Sequence, residues 1–160
     1  MEVLIPYHVK KTKITAKEKK KIDILSVFPD EVEILPWAGH LGHKLADKVV
    51  PIILNSNSTI VFTNTRSQSE MWYQLLLDAY PDFAGQIAIH HSSIDAHLRI
   101  WIEENLSNGK LKAVVSTSSL DLGIDFKPVD TVIQIGSAKG VARFLQRAGR
   151  SGHSPFETSK

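Results

Sequence analysis

Apolar residues recur along the chain in two alternating patterns. From residue 41 they repeat at the helical spacing of three and four, as at Leu41, Leu45 and Val49, and then give way to a β-branched and aromatic run at 58–63. The same exchange continues towards the C-terminus. It predicts helices at 41–53, 67–79, 95–106 and 141–147, and strands at 58–63, 86–90, 111–116 and 131–135.

The helical spacing also predicts which side chains face the core. Trp72 lies at a core position of the second helix, whereas Trp37 lies in a turn-rich stretch and is a candidate for stacking on a nucleic-acid base. The side chains expected on the inward faces of the second and third helices are Met71, Leu75, Leu76, Leu98, Trp101, Ile102 and Leu106.

Short connections between strands and helices predict βαβ units, and hence an α/β fold with a parallel β-sheet. Residues 1–40 differ, because seven lysines fall within residues 10–21, between apolar stretches typical of strands or extended arms. We therefore expect an N-terminal extension at 1–40 with a Lys-rich loop, followed by a domain at 41–160. The lysines suit a solvated surface, and a patch for a phosphate backbone is the alternative.

Polar turns follow all four predicted strands. Because the carboxyl ends of parallel strands meet at one edge of a sheet, these turns should lie together at the edge where such sheets bind ligands. Hydroxyl and backbone N–H groups there suit phosphate, although the same residues also cap helices. Four such turns on one edge, two of them with a cation, favour a track for a phosphate backbone. Its residues are Asn64, Thr65, Arg66, His91, Ser92, Ser93, Thr117, Ser118, Ser119, Gly136, Ser137 and Lys139.

The segment 146–153 (QRAGRSGH) places an amide and two guanidiniums at the end of the last helix. Guanidinium grips phosphoryl oxygens in a planar, two-pronged way. This role requires that neither guanidinium is buried in an internal ion pair, and we expect Arg150 to share one face of the domain with Asp125. The carboxylate of Asp125 suits either a ribose hydroxyl or a cation.

Other parts of a nucleotide site are missing from the sequence. There is no GxxxxGK[ST] phosphate loop, and no apolar strand ends in an Asp-Glu pair suited to Mg²⁺. The seven histidines show no ligand spacing with carboxylates, so we expect no metal site. The net charge of +2, the lack of cysteine, and the absence of a signal peptide or apolar membrane span fit a cytoplasmic protein.

Residues 60–153 resemble the second RecA-like domain of superfamily 2 DNA/RNA helicases. The stretch at 60–66 (IVFTNTR) is similar to helicase motif IV, and that at 91–99 (HSSIDAHLR) has the spacing of the segment between motifs IV and V. Motif V is matched at 116–125 and motif VI at 146–153. The 36–42 segment (PWAGHLG) and the form of motif V are similar to the large helicase-related group of DEXH-box helicases, and to the DNA-ligase-associated ones among them.

The resemblance implies a RecA-like sheet with helices on both faces, belonging to a C-terminally truncated fragment of an ATP-dependent helicase. It implies that the ATP ligands are Gly123, Asp125, Gln146, Arg147 and Arg150, with Gln146 and the finger Arg150 catalytic, although Arg147 also suits a structural role. It also implies contacts with single-stranded nucleic acid, with DNA favoured over RNA. The residues along this strand would be Thr65, Arg66, His91, Ser92, Arg99, Thr117 and Ser118. Of these, Arg99 would brace its own loop.

The implied partners follow from the missing phosphate loop. An N-terminal RecA-like domain of the same polypeptide would hold the ATP phosphates and Mg²⁺, and a DNA ligase encoded nearby is a further expected partner. The fragment alone should not hydrolyse ATP. A non-catalytic nucleic-acid-binding or adaptor domain is the alternative, although such a domain has no need of γ-phosphate ligands.

Overall fold

A computed structural model of the protein describes residues 23–28, 41–121 and 129–151. Its four helices and four strands occur in the predicted order. The helices are α1 (Leu41–Leu54), α2 (Arg66–Ala79), α3 (Ala96–Ser107) and α4 (Val141–Ala148). The strands are β1 (Ser58–Phe62), β2 (Ile87–His90), β3 (Ala113–Ser116) and β4 (Val129–Gln134), and short 3-10 turns lie at Pro81–Phe83 and Ser118–Leu120.

The four strands form one sheet in the order β2-β3-β1-β4, and every neighbouring pair is parallel. At the carboxyl edge the last residues of the strands stand in one row. Phe62 pairs with Ser116 on one side and with Gln134 on the other, and Ser116 pairs with His90. The loops that follow the strands therefore leave the sheet from the same edge, as the sequence predicts.

Helices cover both faces of the sheet, because successive strand residues point to opposite sides. On one face, Val61 and Val115 pack in a core that includes residues of α1 and α2. On the other, Phe62 and Val114 pack with Ile102 and further residues of α3. The central strands β1 and β3 are buried at every residue, which explains their apolar runs at Ile60–Phe62 and Ala113–Val115. The predicted α/β fold, a parallel sheet with helices on both faces, is confirmed.

The predicted inward faces are partly wrong. Trp72 is 2% exposed, and the predicted core residues of α2 and α3 that are buried are Leu75, Leu76, Ile102 and Leu106. In contrast, Trp101, Leu98 and Met71 are 51%, 48% and 36% exposed. Trp101 and Met71 each lie about 100° around the helix from a buried neighbour, and Leu98 lies in the first turn of α3. The buried stripe of α3 is narrower than its apolar sequence suggests.

Little of the N-terminal extension falls among the described residues. Residues 23–28 have no regular secondary structure and are exposed, which fits the extended arm rather than the strand among the two predicted alternatives. The Nζ of Lys48 on α1 donates to the carbonyl of Phe28 at 2.8 Å. The Lys-rich loop and Trp37 lie outside the described ranges. Among the helices that the structure describes, none is long and apolar enough to cross a membrane.

Candidate nucleotide and nucleic-acid site

Hydrogen bonds join the loops at the carboxyl edge of the sheet. The Nδ2 of Asn64, after β1, donates to the carbonyl of Ser137, after β4, at 2.9 Å. A guanidinium nitrogen of Arg66 donates to the hydroxyl of Ser93 in the loop after β2. The loop after β1 therefore contacts the loops of two other strands, including β2 at the far edge of the sheet.

The predicted nucleic-acid contacts differ in how they are presented. Ser92 and Ser118 are exposed, and Thr117 is half-buried. Arg66 is exposed at the start of α2. Thr65 is also exposed, but its hydroxyl caps α2 by accepting from the backbone N–H of Gln68 at 3.2 Å. A capping hydroxyl keeps a lone pair, so both interpretations of Thr65 hold.

His91 and Arg99 are less accessible than the sequence suggested. His91 is 6% exposed; its Nδ1 accepts from the backbone N–H of Ser93 at 3.3 Å, and its Nε2 lies 3.6 Å from a carboxylate oxygen of Glu70. Arg99 is half-buried, and its Nε is enclosed without a hydrogen-bond partner. His91 therefore shapes its loop, and Arg99 is the more available of the two.

One buried carboxylate organises the arginines of α4. Asp121, with its side chain 9% exposed, accepts from Arg147 Nε at 2.7 Å and from Arg147 NH2 at 3.4 Å. The Nε of Arg143 lies 3.5 Å from the same carboxylate, and Arg150 NH2 donates to the backbone carbonyl of Asp121 at 2.7 Å. Three guanidiniums thus converge on one residue.

The expectation that neither arginine of the 146–153 segment is buried in an ion pair is wrong for Arg147. Its side chain is 3% exposed, NH1 donates to Gln134 Oε1 at 2.6 Å, and its guanidinium carbon lies 4.4 Å from the ring centroid of Phe62. Asp121, Gln134 and the aromatic face enclose the cation. This position supports the structural role for Arg147 and leaves no open face for phosphate.

Gln146 is exposed on α4, and Arg150 is half-buried just after the helix, where it contacts the backbone carbonyl of Asp121. Gly123, Asp125 and His153 lie outside the described ranges, so the expected shared face of Asp125 and Arg150 stays a prediction. Among the described residues, no group of three histidines or carboxylates could hold a metal ion.

Sequence reasoning missed Asp121, since it chose the second of the two aspartates in 121–125. A signal was available in α4. Arg143, Arg147 and Arg150 follow one another at spacings of four and three, which places three cations on one side of a helix and its C-terminal turn. A group of arginines packed against a sheet requires a carboxylate as its partner. Asp121 is one of the few carboxylates in the sequence that lie close to the end of a predicted strand.

A second buried polar group lies between the loops after β2 and β3. His90, the last residue of β2, is 1% exposed. Its Nε2 lies 3.0 Å from Glu103 Oε1 on α3, and its Nδ1 lies 2.7 Å from the hydroxyl of Ser119. Burial lowers the pKa of His90 below 6.5, the hydrogen bond and charge of Glu103 oppose that shift, and the nearby charge of Arg99 adds to it.

Comparison with known proteins assigns the domain. Residues 43–154 match the helicase conserved C-terminal domain family. The chain is 40% identical over 147 residues to ATP-dependent helicase Lhr-Core protein 2 of Thermococcus barophilus, covering 92% of this chain and 17% of that protein. It is 36% identical over 137 residues to the Lhr helicase/uracil glycosylase of Escherichia coli, covering 68% of this chain and 9% of that one.

Two solved structures share the fold and part of the sequence. The Mycobacterium smegmatis helicase Lhr, bound to ssDNA and AMP-PNP, matches with a TM-score of 0.76 and 33% identity over 89% of this chain and 19% of that one. The DUF1998 helicase MrfA, bound to DNA, matches with a TM-score of 0.65 and 26% identity over 74% of this chain and 16% of that one.

The chain spans only 17% of the length of the first of these curated relatives. Within that span, the family match includes all four strands and α2 to α4. The predicted resemblance to the large helicase-related group is confirmed, because the relatives are Lhr helicases. The chain belongs to the helicase conserved C-terminal domain family, as the second RecA-like domain of a superfamily 2 helicase.

Proposed function

We propose that residues 41–160 form the second motor domain of an ATP-dependent DNA helicase or translocase, and that residues 1–40 are an extension of it. In this role the domain completes an ATP cleft with an N-terminal RecA-like domain of the same polypeptide. The observation that carries the proposal is the Asp121 cluster, which fastens the end of α4, with Gln146 and Arg150, to the segment after β3. Membership of the helicase family supports it.

In the proposed cleft, Arg150 is the arginine finger and Gln146 its neighbour at the γ-phosphate. Guanidinium stabilises the negative charge that develops on the transferred phosphoryl group, and an arginine in this role contributes on the order of 10³–10⁵ in rate. Arg147 is instead a positioning residue, since its guanidinium is enclosed by Asp121, Gln134 and Phe62.

The remaining ATP contacts are assigned by position in the sequence. Asp125, with Gly123 beside it, is proposed at the ribose. Mg²⁺ that accompanies ATP would neutralise phosphate charge, and we assign its ligands to the N-terminal RecA-like domain because none of the four described strands is followed by an Asp-Glu pair. The Lhr structure is bound to ssDNA and AMP-PNP and the MrfA structure is bound to DNA, which supports ATP and DNA as ligands here.

The proposed DNA track runs over the loops after β1, β2 and β3. Ser92, Thr117 and Ser118 offer hydroxyl and backbone N–H groups from the carboxyl edge, and Arg66 adds a cation at the start of α2. Thr65 contributes beside it. His91 and Arg99 support this surface from beneath, since one is buried and the other half-buried. A DNA ligase encoded nearby stays a proposed partner.

The test uses the full-length parent protein and separates catalysis from binding. Arg150→Ala should reduce DNA-stimulated ATP turnover by at least a hundredfold while single-strand affinity changes less than threefold. Lys110→Ala removes a cation from the opposite edge of the sheet and serves as the control. Turnover that survives Arg150→Ala would exclude the finger role. A wild-type parent protein that binds single strands but turns over no ATP would favour the non-catalytic adaptor.

A further inference from the structure

The 3-10 turn at Ser118–Leu120 carries part of the proposed DNA track; Leu120 at its end is buried in the core, but its beginning has no side-chain cap. Thr117 precedes the turn and makes no side-chain capping hydrogen bond to it. A turn of three residues has too few hydrogen bonds of its own to fix its direction. The bonds that hold it must therefore come from elsewhere in the fold.

His90 supplies these bonds from the neighbouring strand. The hydroxyl of Ser119 donates to the backbone carbonyl of His90 at 3.0 Å or to its ring Nδ1 at 2.7 Å, and the backbone N–H of Thr117 lies 3.3 Å from the same carbonyl. A further bond of 3.2 Å joins Ser119 to Ser116. On the opposite side of the ring, Glu103 fixes Nε2 at 3.0 Å.

We infer that His90 is a positioning residue for single-strand binding, which holds the Thr117–Ser119 turn in the orientation that presents Thr117 and Ser118 to the DNA backbone. The inference rests on the proposed function, and only on its DNA-binding part. His90 lies directly before His91 and Ser92, so one residue connects the two neighbouring loops of the proposed track.

The chemistry of the ring fits this role. The Glu103 carboxylate can only accept, so Nε2 carries the proton and Nδ1 is left to accept from Ser119. Burial and the charge of Arg99 lower the pKa of His90 and outweigh the opposing effect of Glu103, which keeps the neutral ring at pH 7. Glu103 and Arg99, both on α3, are the charged groups identified as acting on His90.

Two substitutions separate the two sides of the ring. An asparagine amide reaches the place of Nδ1, and a glutamine amide reaches towards that of Nε2. His90→Asn therefore keeps a partner for Ser119, and His90→Gln keeps one for Glu103. Ser119→Ala removes the hydroxyl that joins the turn to His90 and Ser116 and leaves the contact between His90 and Glu103 in place. Each protein would be titrated against a labelled single-stranded oligodeoxynucleotide at several salt concentrations, well below its melting temperature.

We expect His90→Gln and Ser119→Ala to weaken binding about three- to tenfold, the equivalent of one or two hydrogen bonds, and His90→Asn to stay within about twofold of wild type. The slope of log affinity against log salt should not change, because that slope counts cation–phosphate contacts and the turn offers neutral donors. The double variant His90→Gln/Ser119→Ala should bind no more weakly than the weaker single variant.

Three results would overturn the inference. Unchanged affinity in His90→Gln and Ser119→Ala would exclude a positioning role. So would a loss of affinity in all three single variants that simply follows the fall in their melting temperatures. A lower salt slope would mean that a cation, not the turn, was displaced. Wild-type chain that binds no single strand would instead refute the proposed DNA track itself.

Discussion

The Asp121–Arg147 ion pair is the contact whose loss should damage this domain most. The perturbation is Asp121→Asn, which keeps the shape of the side chain and removes its charge. The two side chains are 9% and 3% exposed, and their shortest contact is 2.7 Å. Removing one partner of a buried pair costs about 3–5 kcal/mol, because the other charge stays buried and uncompensated.

The contact with Arg143 adds little to that figure. It is 3.5 Å long and its arginine is 46% exposed, so the pair is worth about 0–1 kcal/mol. The free energy of unfolding of a natural domain is about 5–15 kcal/mol. The loss expected for Asp121→Asn is therefore a large share of the stability of this domain. At about 2–4 °C for each kcal/mol in a chain of this size, the melting temperature should fall by roughly 6–20 °C.

The assay is thermal unfolding followed by circular dichroism, with Asp130→Asn as the matched control. Asp130 accepts from the backbone N–H of Asn57 at 2.9 Å and has no guanidinium partner among the described residues. The double variant Asp121→Asn/Arg147→Met should lose less than the two single losses added together, because it leaves no buried charge. A fall for Asp121→Asn no larger than that of the control would refute the reasoning.

Three further predictions test other contacts. Arg66→Ala should weaken single-strand binding at every sequence and lower the salt slope by about one, whereas Lys110→Ala should leave the slope unchanged. Burial lowers the pKa of His90 below 6.5, so the neutral ring stabilises the folded state above pH 6.5. The free energy of unfolding, measured with urea, should therefore decrease as the pH falls through the folded-state pKa of His90. This decrease should be smaller in His90→Asn and unchanged in the control His97→Gln. The isolated 160-residue chain should show no DNA-stimulated ATP hydrolysis, and measurable turnover would mean that it holds a complete phosphate site.

The local pattern of the sequence was enough for the elements of the described fold. Each predicted strand and helix from residue 41 onwards is present, with ends that differ by a few residues. Strands buried on both faces produce apolar runs that are easily read, and parallel pairing then places the loop residues at one edge. The candidate surface at Arg66, Ser92 and Ser118 followed from those two facts.

Contacts between distant residues could not be predicted in the same way. The strand order β2-β3-β1-β4 and the pairing of Asp121 with Arg147, 26 residues later, depend on which loops meet after folding. The exposure of Trp101 is a related case. Its apolar side chain is typical of a core position, but only the side of α3 that carries Ile102 and Leu106 packs in the core.

The burial of Arg147 shows why the expectation of two open guanidiniums was too strict. The domain belongs to a helicase family although Arg147 is fully engaged inside it. A guanidinium that acts on phosphate has to be held in place before the reaction, since freedom of the side chain would cost entropy at each turnover. In the proposed cleft, Arg147 fixes the helix end and Arg150 is the arginine assigned to the phosphate, so the two divide these tasks.

The same division suggests how the two proposed sites are connected. Asp121 holds Arg147 through its carboxylate and Arg150 through its backbone carbonyl, and it follows the 3-10 turn at Ser118–Leu120 directly. In the proposed function, a displacement of that turn by DNA would move the residue that both arginines contact. Thr117 of the proposed DNA track lies only four residues before Asp121, so the two proposed sites share one short segment of the chain.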